Sequence, residues 1–401
     1  YGSVTREILT RLGMKFECYQ LAFQYRNPQP MPCIITETVE ENGQRVKKWK
    51  SLPFILLPGS MTNPFAWDRY EQYLNVYQPD FLITFGDLWH FDHLANFKTL
   101  PTWLAYFEVD GAPIKNSVKR VLDKPNLVIS ASKFGEDAIK QVTQNKTMTI
   151  WHGVDTNIFK PMDKTAAKTA LIDACLQDPR NTEEFKKKFA INKTPFIFGY
   201  VGRNTERKRI DRLMRAFEIF LERNPDAKKD TILLLNTDPN DRNQTEQDVE
   251  DFRDKFNIRD NTSYFPFSLS HLLLSTTQEL VLLYNAMNCY ASSSGGEGFQ
   301  NPIIEAAACG VPTITTEYCS ATELIGNRGW RVPVKEWYYY SYMNIRRALV
   351  DIDKFADAMC EAYTKELYTK NLGNQCYRFA RENLDWDKSI IPKWLEILKK
   401  E

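Results

Sequence analysis

Short apolar runs bounded by proline, glycine or aspartate alternate with helix-length segments along this chain. The runs at 54–57, 81–84, 102–107 and 127–130 read as parallel strands, and those at 196–202, 231–235, 263–267 and 288–292 as a second set. Helical spacing is clearest after residue 209. There Ile210, Leu213, Met214, Phe217 and Phe220 recur at intervals of three and four, so one face is buried. Residues 280–285 read as the end of a further helix, and the polar stretch 163–192 as a linker with an inserted helical element.

Residues 291–313 join a glycine-rich loop to a short helix. Asn301 suits the N-cap, Pro302 the first helical position and Gly310 the stop. The helix N-terminus then faces 294–300, where a diphosphate is the ligand best stabilised. Gly295, Gly296 and Gly298 allow close backbone approach. Glu297 and Glu305 flank that position, placed to accept hydrogen bonds from the hydroxyls of a sugar nucleotide. A tight loop before a buried helix, with Glu297 solvated and Glu305 an ordinary helical residue, fits the same residues. Upstream, the strand at 196–202 opens into Arg203, Arg207, Lys208 and Arg209, a basic loop at the carboxyl end of a strand, where open α/β sheets bind ligands.

Composition narrows the class. With 401 residues and 43% apolar content, the chain exceeds one ordinary core and points to two domains. Lys plus Arg (52) balances Asp plus Glu (51), which argues against nucleic acid as a partner. Eight cysteines are scattered without Cys-x-x-Cys pairs, fitting a reducing compartment, and no run is long enough for a transmembrane span.

These motifs together resemble the group 1 family of retaining glycosyltransferases. The hallmark Glu-x7-Glu stands here as Glu297-Gly298-Phe299-Gln300…Glu305-Ala306-Ala307-Ala308-Cys309-Gly310-Val311-Pro312, with Gln300 at a customary glycine. Val-Gly-Arg-x4-Lys is matched by Arg203 and Lys208, with Arg209 where glycine is common. His152-Gly153-Val154-Asp155…Phe159-Lys160-Pro161 is similar to the segment closing the amino-terminal domain, with His152 at the usual asparagine. Residues 1–13 resemble the loop and helix that follow a first strand; no strand precedes them, which suggests a missing first strand and nominates Gly2 for donor or acceptor contact.

The resemblance implies an α/β fold of the GT-B type, two Rossmann-like domains facing each other across a cleft. The expected division is an acceptor-side domain over 1–160, a linker over 161–193, a nucleotide-sugar domain over 194–378 and a closing helix over 379–401 that crosses back. It implies hexose transfer with retention from a UDP- or GDP-sugar to a glycan, lipid-linked or glycoprotein acceptor, with no cofactor and no required metal. A scaffold that binds the donor without catalysis, or a phosphorylase or epimerase of the same fold, remains the alternative. By this analogy Arg203 and Lys208 hold the diphosphate, Glu305 the ribose and Glu297 the donor sugar. Gly2, Tyr264, Gly296, Gly298, Phe299, Gln300 and Asn301 complete the donor side, with the base held in the loop after Tyr264. Near the transferred sugar the resemblance expects a histidine, a place that Asp110 or His90 could take. The aromatic run 337–340 reads as core or lid, or as a sugar-stacking surface. The expected location is the cytoplasm or the inner membrane surface.

Overall fold

The computed structural model describes residues 2–23, 25, 27–41, 44–239, 248–265, 277–340 and 344–399. After the helix Gly2–Leu12, the first half holds β1 (Tyr19–Ala22), β2 (Met31–Glu41), β3 (Gln44–Pro58), β4 (Phe81–Gly86), β5 (Thr102–Phe107), β6 (Leu127–Ser130) and β7 (Thr147–Thr149). The strands β4 to β7 form a parallel sheet in chain order. The apolar run at 54–57 lies in β3, which pairs parallel with β1 but antiparallel with β2.

The second half holds β8 (Phe196–Val201), β9 (Thr231–Asn236), β10 (Thr262–Tyr264), β11 (Cys289–Ser292), β12 (Thr313–Thr316) and β13 (Trp330–Val332), in the order β10-β9-β8-β11-β12-β13 with every pair parallel. Counted from its own first strand this is the doubly wound order 3-2-1-4-5-6. The order reverses between β8 and β11, and a crevice forms outside the carboxyl ends of those two strands. Both strands are fully buried save Val201, as a sheet covered on two faces requires. The helix Ile210–Arg223 buries the five residues singled out by its periodicity.

A hairpin of β14 (Val334–Tyr340) and β15 (Ile345–Val350) follows. The aromatic run 337–340 is therefore strand, with Trp337, Tyr339 and Tyr340 exposed rather than in the core. The segment read as a linker folds into two helices, Lys164–Gln177 and Glu183–Ile191, whose Leu171, Ile172, Phe185 and Phe189 are buried in the main core. The closing segment is two helices, Glu366–Asn383 and Ile391–Ile397, joined through the turn at Trp386–Ile390. That break lets it cross back: Arg11 pairs with Asp387 at 2.6 Å and the Trp394 ring packs against Tyr106. Both crossings between the halves lie side by side, with Val154 N–H donating to Leu384 O at 2.8 Å. Among the described residues no helix is long and apolar enough to cross a membrane.

Candidate active site

The loops after β8 and β11 emerge next to each other because their strands are neighbours, and this brings the basic loop onto the glycine-rich one. The turn Glu206–Lys208 ends at Arg209, which holds φ +51°, a left-handed conformation at the position where glycine is customary. A non-glycine residue pays about 1 kcal/mol for it. Ser293 Oγ donates to Arg209 O at 2.6 Å and Gly295 N–H to Arg207 O at 2.8 Å, so the two loops are stitched through their backbones.

Across that seam, Glu297 pairs with both Arg207 and Lys208, with Lys208 Nζ at 2.5 Å, and accepts from Ser294 Oγ at 2.7 Å. Burial works against the charged carboxylate, but the two cations outweigh it and hold Glu297 at about 2. Desolvation lowers the Lys208 pKa, with Glu297 acting the other way. Glu297 is thus held by the two cations and by Ser294. Arg207 was hidden among four cations in seven residues; its guanidinium also donates to Gly296 O at 2.8 Å. Arg203, at the loop's start, is exposed.

The helix itself is Asn301–Ala308, one residue earlier at its cap than the sequence indicated: Gln300 is the N-cap and makes no side-chain cap bond. Asn301 Oδ1 instead bonds His152 Nδ1 at 2.9 Å, linking the helix to the crossing segment. Gln300 needs no positive φ. Its amide donates to Ser292 Oγ at 2.8 Å and pins the loop to β11. Phe299 lies against the His152 ring, centroids 4.4 Å apart. At the other end Gly310 has φ +74°, and Val311 N–H to Ala306 O with Gly310 N–H to Ala307 O complete a Schellman stop. Glu305 accepts from Tyr284 OH at 2.6 Å, and burial raises its pKa.

At two of the glycines the close backbone approach is made by the protein itself. A Cβ on Gly296 would stand 2.3 Å from Asp110 O, and one on Gly298 would stand 2.6 Å from Glu108 Cβ. What approaches this loop is the opposite half of the protein, through the segment after β5. There Asp110 pairs with Arg347 at 2.8 Å, and its Oδ2 is 3.9 Å from Arg207 Nε. Glu108 faces His152 Nε2 at 3.5 Å. Desolvation, helped by Asp87 and Glu297, raises Glu108 to about 8, while burial drives His152 down to about 3, so both are neutral near pH 7. Beside them Asp87, Leu88, Trp89, Glu108, Asp110 and Lys115 line a cavity of about 240 Å³, together with Ile345 of β15.

Two expected residues, His90 and Tyr264, are buried in contacts of their own. His90 is buried, its Nδ1 accepting from Asp87 N–H at 3.1 Å to cap the turn Leu88–Asn96, and burial lowers it to about 4. Tyr264 is buried between the Arg180 and Arg253 guanidinium groups, so its side chain belongs to the core; residues 266–276 after it, the expected base-binding loop, lie outside the described residues. Gly2 is the exposed first residue of its helix, with nothing within 4 Å of a Cβ. Arg347, which no motif marks, is buried at the junction.

Residues 181–338 match the family model of glycosyl transferases group 1, covering both loops and the helix between β11 and β12. Sucrose-phosphate synthase from Thermosynechococcus elongatus superposes with a TM-score of 0.68 at 18% identity, over 98% of this chain and 91% of that one. The chain has the GT-B fold. Anabaena HepE in complex with UDP and glucose superposes at 0.62 and 15% identity, over 86% of each chain. An uncharacterized glycosyltransferase of Sulfolobus islandicus rod-shaped virus 1 is 24% identical over 281 residues, 70% of this chain and 69% of that protein. The Staphylococcus aureus capsular polysaccharide biosynthesis glycosyltransferase CapM is 29% identical over 132 residues, 33% of this chain and 30% of that protein. The chain is thus similar to glycosyl transferases group 1 over 181–338 and shares the GT-B fold over nearly its whole length.

Proposed function

We propose that this chain is a retaining glycosyltransferase that moves a hexose from a UDP- or GDP-sugar to a hydroxyl of a glycan, lipid-linked or glycoprotein acceptor, with no metal required. It would act in the cytoplasm or at the inner membrane surface. The observation that carries the reading is the cation cluster of Arg207 and Lys208 at the switch point of the second sheet, facing a separate cavity on the first half. A departing diphosphate needs fixed positive charge in a site shielded from water, and these cations supply it without reorganising during the reaction. Arg203, exposed at the start of the same loop, would add a third cation for the diphosphate. Glu297 holds Arg207 and Lys208 in place, and Glu305, held by Tyr284, takes the ribose. The acceptor enters the 240 Å³ cavity, where Trp89 offers an aromatic face and Asp87 a carboxylate. Its hydroxyl attacks on the face from which the diphosphate leaves, and the leaving phosphate takes the proton.

The experiment has two stages. UDP-, GDP- and ADP-sugars are screened for thermal stabilisation in EDTA, and any stabilising donor is then assayed for nucleotide release with candidate acceptors. One donor should stabilise without metal, and Lys208→Ala and Glu305→Ala should each remove nearly all transfer while leaving a cooperative melt. Full activity in both variants overturns the assignment. Stabilisation without transfer to any acceptor favours a donor-binding scaffold, and turnover with phosphate or with donor alone favours a phosphorylase or epimerase.

A further inference from the structure

The strand β15 touches both sides of the cleft, residue by residue. Arg346 N–H donates to Ala112 O at 3.1 Å, and Ala348 N–H donates to Gly295 O at 2.8 Å. Between them the Arg347 guanidinium donates to Asp110 O at 2.6 Å and to Asp110 Oδ2 at 2.8 Å, and its Nη1 lies 3.4 Å from Gly296 O. Tyr318 closes the same junction, its hydroxyl accepting from Ala112 N–H at 3.2 Å and donating to Arg346 O at 3.0 Å. One strand therefore straps the glycine-rich loop of the second half to the Asp110 segment of the first.

Asp110 has a foot in each compartment. Its carboxylate meets Arg347 and lies near Arg207, on the side of the cations, and the residue also lines the cavity of the first half. A guanidinium fork binds a carboxylate or a phosphate through the same pair of N–H groups, and a diphosphate carries the greater charge. A diphosphate arriving beside Gly296 competes with Asp110 for Arg347.

We propose that Asp110 is a latch: its pairing with Arg347 straps the cleft shut in the absence of donor, and the donor diphosphate takes over the guanidinium and releases Asp110 into the cavity. There the freed carboxylate orients the acceptor hydroxyl, so donor binding prepares the acceptor side. This rests on the glycosyltransferase reading above, with Asp110 as a positioning residue that changes partners.

Two measurements on the full chain test it. Hydrogen exchange without nucleotide reads the strap: Asp110→Asn should speed exchange at the Arg346 amide by about tenfold, the loss of one charge-assisted bond, and leave the Ala348 amide unchanged. Titration with UDP and GDP reads the competition. Asp110→Asn should tighten the nucleotide that wild type binds by about tenfold, and Arg347→Gln should weaken it by about as much. In turnover, Asp110→Asn should lower both the donor KM and kcat, a split that a merely structural residue would not give. Unchanged Arg346 exchange, or affinities that move in the same direction in both variants, overturns the latch. If wild type binds neither nucleotide, the functional reading fails, and the exchange result alone decides whether Asp110 straps the cleft.

Discussion

At the scale of single residues, two glutamates a short distance apart are driven in opposite directions by their surroundings. Glu297 has two cations and stays ionised to about pH 2; Glu108 has buried surroundings and carboxylate neighbours and holds its proton to about pH 8. The consequence for stability is specific to Glu108. Below about pH 4.5 its carboxyl is protonated whether the chain is folded or not. From there to about pH 8 the unfolded carboxyl ionises and the folded one does not, so stability falls as pH rises, by up to about 1.4 kcal/mol per pH unit. Above pH 8 the loss is complete. Glu108→Gln keeps the neutral form at every pH, so its melting temperature should draw ahead of wild type from pH 4.5 to 8 and then run parallel to it. A pH series of paired thermal melts checks this; a constant difference would mean that Glu108 ionises normally in the fold. Such a residue is not legible in a sequence. Glu108 follows a strand as many acids do, and its pKa comes first from burial and then from the charges of Asp87 and Glu297, which are distant in the chain.

At the scale of elements, the loops after β8 and β11 were legible because their signals are local. Gly310 stops its helix, the helix Ile210–Arg223 keeps its period, and β8 and β11 read as apolar runs. The hairpin β14–β15 was not, because β15 carries Arg346 and Arg347 in the middle of an apolar strand, and their partners on the first half lie more than two hundred positions away. The glycines show the same limit: their presence was legible, but what approaches them was not. Gly298→Ala would place a methyl 2.6 Å from Glu108 Cβ and 3.0 Å from its Cα, and the first half must withdraw to admit it. Overpacking of this kind costs about 1–3 kcal/mol. The expected result is a lower melting temperature and a larger radius of gyration by small-angle scattering. Gly2→Ala meets nothing within 4 Å and should match wild type in both. An unchanged radius for Gly298→Ala would show that the loop, rather than the cleft, absorbs the methyl.

At the scale of the molecule, the halves are joined by two chain crossings that pack against each other, and the packing fixes how the cleft can move. Gly153 on the first crossing lies under the Trp386 ring of the second: a Cβ there would be 2.5 Å from Trp386 Cδ2. The same crossings are tied by the Thr156–Asp385 hydrogen bond, and His152, one residue before Gly153, reaches Asn301 at the start of the helix beside the cation cluster. Shifting the crossing therefore shifts the site. Gly153→Ala should destabilise the chain by about 1–3 kcal/mol through overpacking, and Trp386→Ala by about 3–5 kcal/mol through the cavity it leaves. Because the new methyl and the lost indole occupy the same space, the double variant should be more stable than the sum of the two losses by at least about 1 kcal/mol. Urea unfolding of the four proteins measures that coupling. Additive losses would mean that the crossings do not constrain each other, and that β15, which bonds Ala112 on one half and Gly295 on the other, would be left as the contact that couples them.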